Sequence, residues 1–260
     1  MDQHRAGVVT SSRTDGVAVI SFNRPHRHNA INDELDQAWQ AEVNRAIGDE
    51  TVRCVLLRGE GRSFCSGRDT AHLGERVAGE SDLSFVRRAQ ETRLAMIEAP
   101  KTIVAAVRGY VLGGGLEIAL SADMRVAAAD SVFGFPEIKF GLVADTGGTQ
   151  LLTPLIGPSK AKYLLLSGDR ISADAAREWG LVDWVVEPDE LDEAALDLAK
   201  RLAAAPPQAA AMTKQLVDQA WAGSIRNGIR QELIAQVALF AGAEHRAAKG
   251  AQLDLLRVKE

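Results

Sequence analysis

A glycine-rich turn followed by an acid is the first feature of this sequence with the makings of a chemical site. Gly113, Gly114 and Gly115 are consecutive, and the apolar stretch that begins at Leu116 follows them. Glycines let the backbone approach a ligand closely, and free N–H groups at a helix N-terminus favour negative charge. Glu117 follows Gly114 by three residues, so on a helix both lie on one face, about 4.5 Å apart along the axis. The turn therefore predicts an anion site with a carboxyl group beside it.

The anion at this turn would be either a phosphate or an oxyanion that develops during a reaction. A dinucleotide-binding fingerprint needs a glycine where Ile118 stands, and the Gly-Lys-Ser/Thr ending of a P-loop is missing from the turn. Glu117 would repel a phosphate, whereas a carboxyl group at this place suits proton transfer. Taken alone, the glycines are equally well explained by tight packing of a helix on a strand, and Glu117 by helix capping.

A second loop of small residues shifts the balance towards function. It reads Phe-Cys-Ser-Gly-Arg-Asp at residues 64–69, and it follows an apolar run typical of a strand. Ser66 lies outside any Gly-x-Ser-x-Gly nucleophile elbow, and no histidine is placed by the sequence to activate it, so we reject a hydrolase triad. Two small-residue loops, each after a predicted strand, remain as the candidate site.

Buried strands that alternate with helices are predicted to position the two loops. The segment from Asp33 to Ile47 has its apolar residues on one helical face and Asn32 as an N-cap. A shorter helix is predicted between Ser172 as N-cap and Gly180 after its last turn. This alternation indicates an α/β fold. The Val- and Ile-rich runs that predict the strands are Val17–Phe22, Val52–Leu57, Thr102–Val107 and Trp184–Val186.

The pattern changes at about residue 188, after which the chain is predicted to be almost wholly helical. We therefore divide it into an α/β core at residues 1–187, which carries the two loops, and a helical region at residues 188–260. The apolar helix faces of the second region exceed what one small core can cover, and such faces usually pack on another domain or subunit. We expect oligomerisation through this region.

Charge and cysteine content limit the classes of partner. The net charge of -5 argues against broad sequence-independent binding to nucleic acid, which depends on clustered Lys and Arg. Cys54 and Cys65 lack the spacing of a disulfide framework or a zinc site, and the histidines form no ligand set. Residues 1–10 lack the apolar run of a signal peptide, and no stretch approaches the roughly 20 apolar residues of a membrane span. These observations predict a cytoplasmic protein that binds no metal, membrane or nucleic acid.

Four ordered segments resemble the signature segments of the enoyl-CoA hydratase/isomerase, or crotonase, superfamily. The likeness covers about residues 15 to 190 well and the tail poorly. It implies a spiral of ββα units with a C-terminal helical region, which supports assembly as a trimer or a dimer of trimers and covers the active site. The four segments are residues 64–69, the turn at 109–117, Phe135-Pro136-Glu137, and Gly141-Leu142 with Gly147-Gly148-Thr149-Gln150.

The resemblance implies a specific chemistry at the two loops. Ser66 and Gly114 would supply the backbone N–H groups of an oxyanion hole for a thioester oxygen. Glu117 and Glu137 match the two acids of an enoyl-CoA hydratase, which would hold a water between them. Glu117 would be the base that activates this water for attack at C3, and Glu137 the acid that protonates C2. Coenzyme A is then part of the substrate, and no separate cofactor is expected.

The resemblance also suggests where the substrate is bound. Arg27 and His28 match the CoA-contacting segment by position, and positive charge there suits the phosphates of CoA. Arg68 replaces a small residue common in the family, where it would meet the acyl tail, a CoA phosphate or solvent. Acyl chain length depends on walls such as residues 71–84, which follow no motif. The substrate contacts implied within the two loops are Gly67, Arg68, Asp69 and Gly113.

Asp145 departs from the pattern of ordinary hydratases, which tend to carry a small residue at this place. An acid here is similar to the dienoyl-CoA isomerase branch, to ring-opening isomerases of phenylacetate breakdown and to carnitinyl-CoA hydratases. Asp is also a common turn residue, which explains its presence without any chemistry. The alternative to simple hydration is therefore isomerisation of an enoyl-CoA or dienoyl-CoA double bond, or a carnitinyl-CoA-type hydration, that uses Asp145, and a non-catalytic acyl-CoA or RNA binder is a further alternative.

Overall fold

The structure is a computed structural model that describes residues 7–72, 79–221 and 223–257. Its strands form one sheet of six and another of three. In spatial order, the strands of the larger sheet are β1 (Val9–Thr14), β2 (Val17–Phe22), β3 (Cys54–Gly59), β4 (Thr102–Val107), β6 (Met124–Ala128) and β9 (Trp184–Val186). The strands of the smaller sheet are β5 (Tyr110–Leu112), β7 (Val132–Gly134) and β8 (Arg170–Ser172).

Helices connect and cover these strands, as the alternating pattern predicts. The helices in the described part of the chain are α1 (Asp33–Gly48), α2 (Asp82–Ile97), α3 (Gly114–Leu120), α4 (Gly148–Ser167), α5 (Ala173–Trp179), α6 (Leu191–Ala203), α7 (Pro207–Gln219), α8 (Ile225–Ala241) and α9 (Ala243–Arg257). The predicted α/β architecture is therefore confirmed.

The parallel part of the larger sheet decides where the two glycine-containing loops emerge. β1 runs antiparallel to β2. The other strands of this sheet, β2, β3, β4, β6 and β9, run parallel to one another. Because parallel neighbours end at the same edge of a sheet, the loops after β3 and β4 leave it side by side. Isolated bridges then join Cys65 to Val111 and Ile31 to Arg68. The fold thus brings together two loops that lie far apart in the sequence.

The predicted helix caps are confirmed. The Asn32 side chain accepts the Leu35 N–H at 3.0 Å at the start of α1, and the Ser172 side chain accepts the Ala175 N–H at 3.3 Å at the start of α5. Each bond satisfies one of the backbone donors that a helix N-terminus leaves unpaired. Gly180 ends α5 with a φ of 85°, a conformation that glycine adopts at little cost.

The third strand begins later than predicted. The apolar run starts at Val52, but β3 extends from Cys54 to Gly59. The reason is that the Val52 N–H donates to Asp49 O at 3.0 Å, so the chain is still turning there. Pairing with β2 starts only where Cys54 stands opposite Val17.

The sheet carries apolar packing on both faces. The larger cluster contains Trp39 of α1, which is fully buried and meets the Phe22 ring edge-on at a centroid distance of 6.0 Å. The second cluster joins Leu191, Ala195 and other residues of α6 to the opposite face of β2, β3 and β4. The division at residue 187 stays a prediction, but α6, which follows it, packs directly on the sheet.

The last helices present apolar side chains to the outside of the chain. Trp221 is 76% exposed and Ile225 is 83% exposed, and the apolar residues that α8 adds are Ile229, Leu233, Ile234, Val237 and Phe240. Exposed apolar area of this extent is typical of surfaces that associate. None of the helices in the described residues is both long and apolar enough to cross a membrane.

Candidate active site

The loop at residues 64–69 and the turn before α3 lie directly against each other. The Leu112 N–H donates to Cys65 O, and the Cys65 N–H donates to Tyr110 O, both at 3.0 Å. Gly67 has a φ of 89°, and a Cβ on it would lie 2.8 Å from Leu112 O and 3.5 Å from Gly114 N. Glycine is therefore required at residue 67 for its conformation and for the close approach. The two segments predicted to form one site are brought together.

The backbone amides of the 64–69 loop differ in whether they are already bonded. The Ser66 N–H donates to His28 O at 3.0 Å, so the prediction that Ser66 supplies an oxyanion-hole amide is wrong. The Asp69 N–H donates to Ile31 O at 2.9 Å. Between them, the Gly67 N–H is directed to the Cys65 thiol, whereas the Arg68 N–H has no acceptor among the described residues. The amide that this loop leaves available is therefore that of Arg68.

A cavity of about 550 Å³ lies where the two loops meet. Arg68 and Gly114 both line it, and so do the predicted acids Glu117, Glu137 and Asp145. Gly114 is the first residue of α3, so its N–H is one of those that a helix cannot satisfy internally. Within the described part of the chain this N–H has no acceptor. Two unpaired amides and three carboxyl groups thus belong to one cavity.

Glu117 is buried and fully hydrogen-bonded. Its Oε1 accepts the Thr146 N–H at 2.8 Å and the Gly148 N–H at 2.9 Å, and its Oε2 accepts the Thr146 hydroxyl at 2.5 Å. Gly148 is the first residue of α4, and negative charge is favoured at a helix N-terminus. Three donors and a helix dipole suit an ionised carboxylate, which is the form that a general base requires.

Glu137 has the opposite environment. Burial, helped by the charges of Glu117 and Asp145, raises its pKa to about 7. Its buried Oε2 has no hydrogen-bond partner within the described residues. Gly113 makes room for this carboxyl group, since its φ is 52° and a Cβ on it would collide with Glu137 Oε1. A carboxyl group that titrates near neutrality can hold a proton and give it up, which is what a general acid requires.

Asp145 lines the same cavity from the loop before α4. The residue is exposed, whereas Ala144 and Thr146 on either side of it are buried. Its backbone oxygen accepts the Gln90 side-chain amide at 2.7 Å, which links this loop to α2. Asp145 is close enough to Glu137 for its charge to raise the pKa of that carboxyl group. The structure therefore places the third predicted acid beside the other two.

The predicted CoA-contacting segment is organised around one buried carboxylate. Asp69 is paired with Arg24 at 3.2 Å and with Arg27 at 3.6 Å, and its side chain is only 5% exposed. Half of the Arg27 side chain stays exposed. Asp69 therefore anchors the arginines and does not line the cavity, and Arg27 keeps a surface on which a phosphate can be bound.

His28 is less readily protonated than a free histidine. Burial and the neighbouring Arg62 lower its pKa. Its Nδ1 lies 2.9 Å from the Ser63 hydroxyl, and its ring contacts the Tyr110 ring at a centroid distance of 5.0 Å with the two planes tilted by 56°. The structure thus supports a positioning contact at His28, whose backbone oxygen also holds the Ser66 amide, rather than a charged contact to phosphate.

The Arg68 side chain does not extend into solvent. It is paired with Asp33 at 2.7 Å, and its guanidinium lies 4.5 Å from the centroid of the Phe85 ring. Arg68 and Phe85 together line the cavity on the side of α2. Of the three environments predicted for Arg68, these contacts agree best with a wall of the acyl site. Residues 73–78 of the predicted wall at 71–84 lie outside the described residues.

Comparison with known proteins identifies the family. A family model described as enoyl-CoA hydratase/isomerase matches residues 12–253, which is most of the chain. The chain belongs to the enoyl-CoA hydratase/isomerase family. The crystal structure of an enoyl-CoA hydratase from Bacillus anthracis matches it with a TM-score of 0.88 at 29% identity, over 95% of this chain and 96% of that one. The crotonase fold with its C-terminal helices is thereby confirmed.

Relatives of this family member have different named activities. A short-chain-enoyl-CoA hydratase of Clostridium acetobutylicum is 36% identical over 205 residues, which cover 78% of each chain. A 1,2-epoxyphenylacetyl-CoA isomerase of Escherichia coli K12 is 34% identical over 208 residues, which cover 79% of each chain. Family membership therefore makes an enzyme acting on acyl-CoA thioesters the expected class, and it does not choose between hydration and isomerisation.

Some residues of the site were missed at the level of sequence. Thr146 and Gly148 donate hydrogen bonds to Glu117. Both lie within a glycine-rich segment that the sequence had already singled out, but nothing in the sequence showed that they bind this carboxyl group. Arg93 lines the cavity from the middle of α2, where it resembles any polar residue of an amphipathic helix. Only its burial, with 4% of its surface exposed, distinguishes it.

Proposed function

We propose that this protein is an enoyl-CoA hydratase, which adds water reversibly across the 2,3 double bond of an enoyl-CoA thioester. The observation that carries the proposal is the difference between two carboxyl groups in one cavity. Glu117 accepts three hydrogen bonds as a carboxylate does, whereas Glu137 is half-buried, has a buried Oε2 without a partner among the described residues, and has a pKa of about 7. A base and an acid are thus present together near neutral pH.

The reaction follows from this pair and the two unpaired amides. Glu117 takes a proton from water as the water oxygen bonds to C3, and the electrons of the double bond move onto the thioester oxygen. The N–H groups of Arg68 and Gly114 stabilise the resulting enolate. Protonated Glu137 then gives its proton to C2, and the thioester carbonyl is restored. Loss of one donor from such an oxyanion hole typically costs roughly 3 kcal/mol of transition-state stabilisation.

The test is hydration of crotonyl-CoA by the protein and by single-carboxyl variants. Glu117→Gln and Glu137→Gln should each reduce kcat by at least about a hundredfold, as expected for loss of a general base or acid, while CoA binding is retained. Glu98→Gln, on an exposed residue at the end of α2, is the matched control and should keep full activity. Near-normal turnover by either active-site variant would contradict the assignment.

The second candidate function is double-bond isomerisation, which the position of Asp145 favours. Asp145 lines the cavity next to Glu137, so a third carboxyl group is available to move a proton between C2 and C4 of the acyl chain. The protein should then convert 3-enoyl-CoA or dienoyl-CoA substrates, and Asp145→Ala should abolish that reaction. If no such substrate is isomerised and Asp145→Ala hydrates crotonyl-CoA normally, this candidate is excluded.

We further propose that the chain assembles as a trimer or a dimer of trimers through its C-terminal helices. The support is the exposed apolar surface of α8, which includes Ile229, Leu233 and Val237. Light scattering after size-exclusion chromatography measures the mass directly. The double variant Leu233→Glu with Val237→Glu should dissociate the assembly, and a monomeric parent protein would refute the proposal.

A further inference from the structure

Arg93 is a buried cation that forms no salt bridge with any carboxylate in the described ranges of the chain. It lies in α2, is 4% exposed and lines the cavity. Its guanidinium lies 4.9 Å from the centroid of the Trp39 ring, and its Nη1 reaches Ala89 O only at 3.5 Å. Its Nε is buried without a hydrogen-bond partner in the described part of the chain. No carboxylate of the described residues lies within 4.0 Å of its nitrogens.

The charges that face Arg93 come from several elements of the site. Asp36 projects from α1, Glu117 from α3 and Asp145 from the loop before α4, while the Cys65 thiol faces it from the 64–69 loop. Burial lowers the pKa of Arg93, and the charges of these groups oppose that effect. Even so, an arginine side chain remains protonated in proteins, so its positive charge persists among the acids.

The nearest acid outside the reaction already has partners of its own. Asp36 is paired with Arg88 at 2.6 Å and accepts the Trp39 indole N–H at 3.2 Å. The Arg93 charge therefore acts on the cavity that it lines, and burial of the side chain leaves this charge less screened than it would be at the surface. A buried donor without an acceptor needs an explanation in a native structure, and for Arg93 Nε we find that explanation in the carboxyl groups that line the same cavity.

We propose that Arg93 is a positioning residue, whose buried charge at the cavity wall stabilises the singly ionised form of the Glu117 and Glu137 pair. The inference rests on the proposed function, since it assigns the charge that sustains the base and acid of that reaction. Glu117, Glu137 and Asp145 would otherwise share one small volume as three negative groups, and like charges at short range favour uptake of protons. A doubly protonated pair has no base, and Arg93 disfavours that state.

The experiment compares three arginine variants across a pH series. Arg93→Met removes the charge and keeps most of the side-chain volume, Arg93→Lys keeps the charge, and Arg87→Met removes a charge from an exposed position on the same helix. For crotonyl-CoA hydration, the acidic limb of kcat/KM reports ionisation of the base. In Arg93→Met this limb should move to higher pH by roughly one unit, with KM little changed. Arg93→Lys should restore most of the shift, and Arg87→Met should match the parent.

Two outcomes would overturn the inference. One is an Arg93→Met profile that coincides with the parent profile. The other is an equal loss of kcat/KM at every pH, which would indicate that Arg93 only packs the site or binds an oxygen of the substrate. If Arg93→Met does not fold, Arg93→Gln replaces it in the comparison with Arg93→Lys. This is possible because the pH of the acidic limb of kcat/KM should depend on the charge at residue 93 and not on the size of the side chain.

A measurement without substrate separates this inference from the proposed function. Difference infrared spectra report protonated carboxyl groups directly, and Glu117→Gln and Glu137→Gln assign their bands. If the parent protein hydrates no enoyl-CoA, the proposed function fails, but the carboxyl bands still titrate. The inference then stands if Arg93→Met raises the pH at which the pair loses its proton, and it fails if the titration is unchanged.

Discussion

Gly113→Ala tests whether the position of the Glu137 carboxyl group controls catalysis. The new Cβ would collide with Glu137 Oε1 and would lie only 3.2 Å from Cδ of the same carboxyl group. To regain ordinary contact the carboxyl group must move by about 1 Å. A misplacement of that size at a reacting group costs on the order of a hundredfold in rate. Alanine in this backbone conformation, with a φ of 52° and a ψ of -128°, also destabilises the fold by roughly 1–3 kcal/mol.

The matched control is Gly157→Ala, because it separates these two effects. Gly157 has a φ of 78°, but no atom lies within 4 Å of the place that a Cβ would take, so alanine there brings the same backbone strain without a collision. Both variants should lose similar free energy of unfolding in urea titrations, whereas only Gly113→Ala should lose turnover of crotonyl-CoA. Equal activity of the two folded variants would show that the Glu137 position is irrelevant to the rate, and the acid assignment would have to be abandoned.

Three more predictions concern pH, a buried ion pair and the support of the base. Glu137 has a pKa of about 7 in the folded state against a usual 4.5, so the folded protein binds this proton more tightly than the unfolded chain does. The free energy of unfolding should therefore fall by about 3 kcal/mol as pH rises from 4.5 to 7. In urea titrations, Glu137→Gln should remove that dependence. Since the proposed hydration uses protonated Glu137 as its acid, kcat/KM should also decline above pH about 7. Lys214→Met leaves Asp123, its partner at 3.0 Å, buried and unpaired, so unfolding free energy should drop by roughly 3 kcal/mol, and an unchanged urea midpoint would contradict this. Thr146→Val removes the hydroxyl donor to Glu117 and should reduce kcat about tenfold or more, with a normal rate arguing against Glu117 as the base.

Long apolar runs and caps were predictable from the sequence because their causes are local. β2 and β4 have the predicted bounds, and α1 begins at its Asn32 cap. The strands of the smaller sheet were not predicted, since each has only three residues and its pairing depends on partners far along the chain. β3 was misplaced by two residues because a turn at Asp49, not the apolar pattern, decides where pairing starts.

The site was predictable to the level of segments and acids, but not to the level of single amides. A motif shows that residues 64–69 form a close-packed loop, but which N–H is free depends on acceptors from other segments. Ser66 loses its N–H to His28 O, and the Gly67 N–H is directed to the Cys65 thiol, whose pKa it lowers against the larger effect of burial. Because of these contacts, Arg68 is the residue of this loop whose N–H stays available within the described part of the chain. Its residue type gives no indication of this.

The roles of the two acids have the same kind of cause. Glu117 and Glu137 are identical in covalent structure, so any difference in their chemistry must come from what surrounds them. One carboxyl group receives two backbone N–H groups and a hydroxyl at the start of α4, while the other packs over Gly113 with a buried oxygen that lacks a partner among the described residues. Donors stabilise the charged form and burial without donors stabilises the neutral form. In the proposed hydration the surroundings, not the residues, therefore distinguish base from acid, and exchanging those surroundings would exchange the proposed roles.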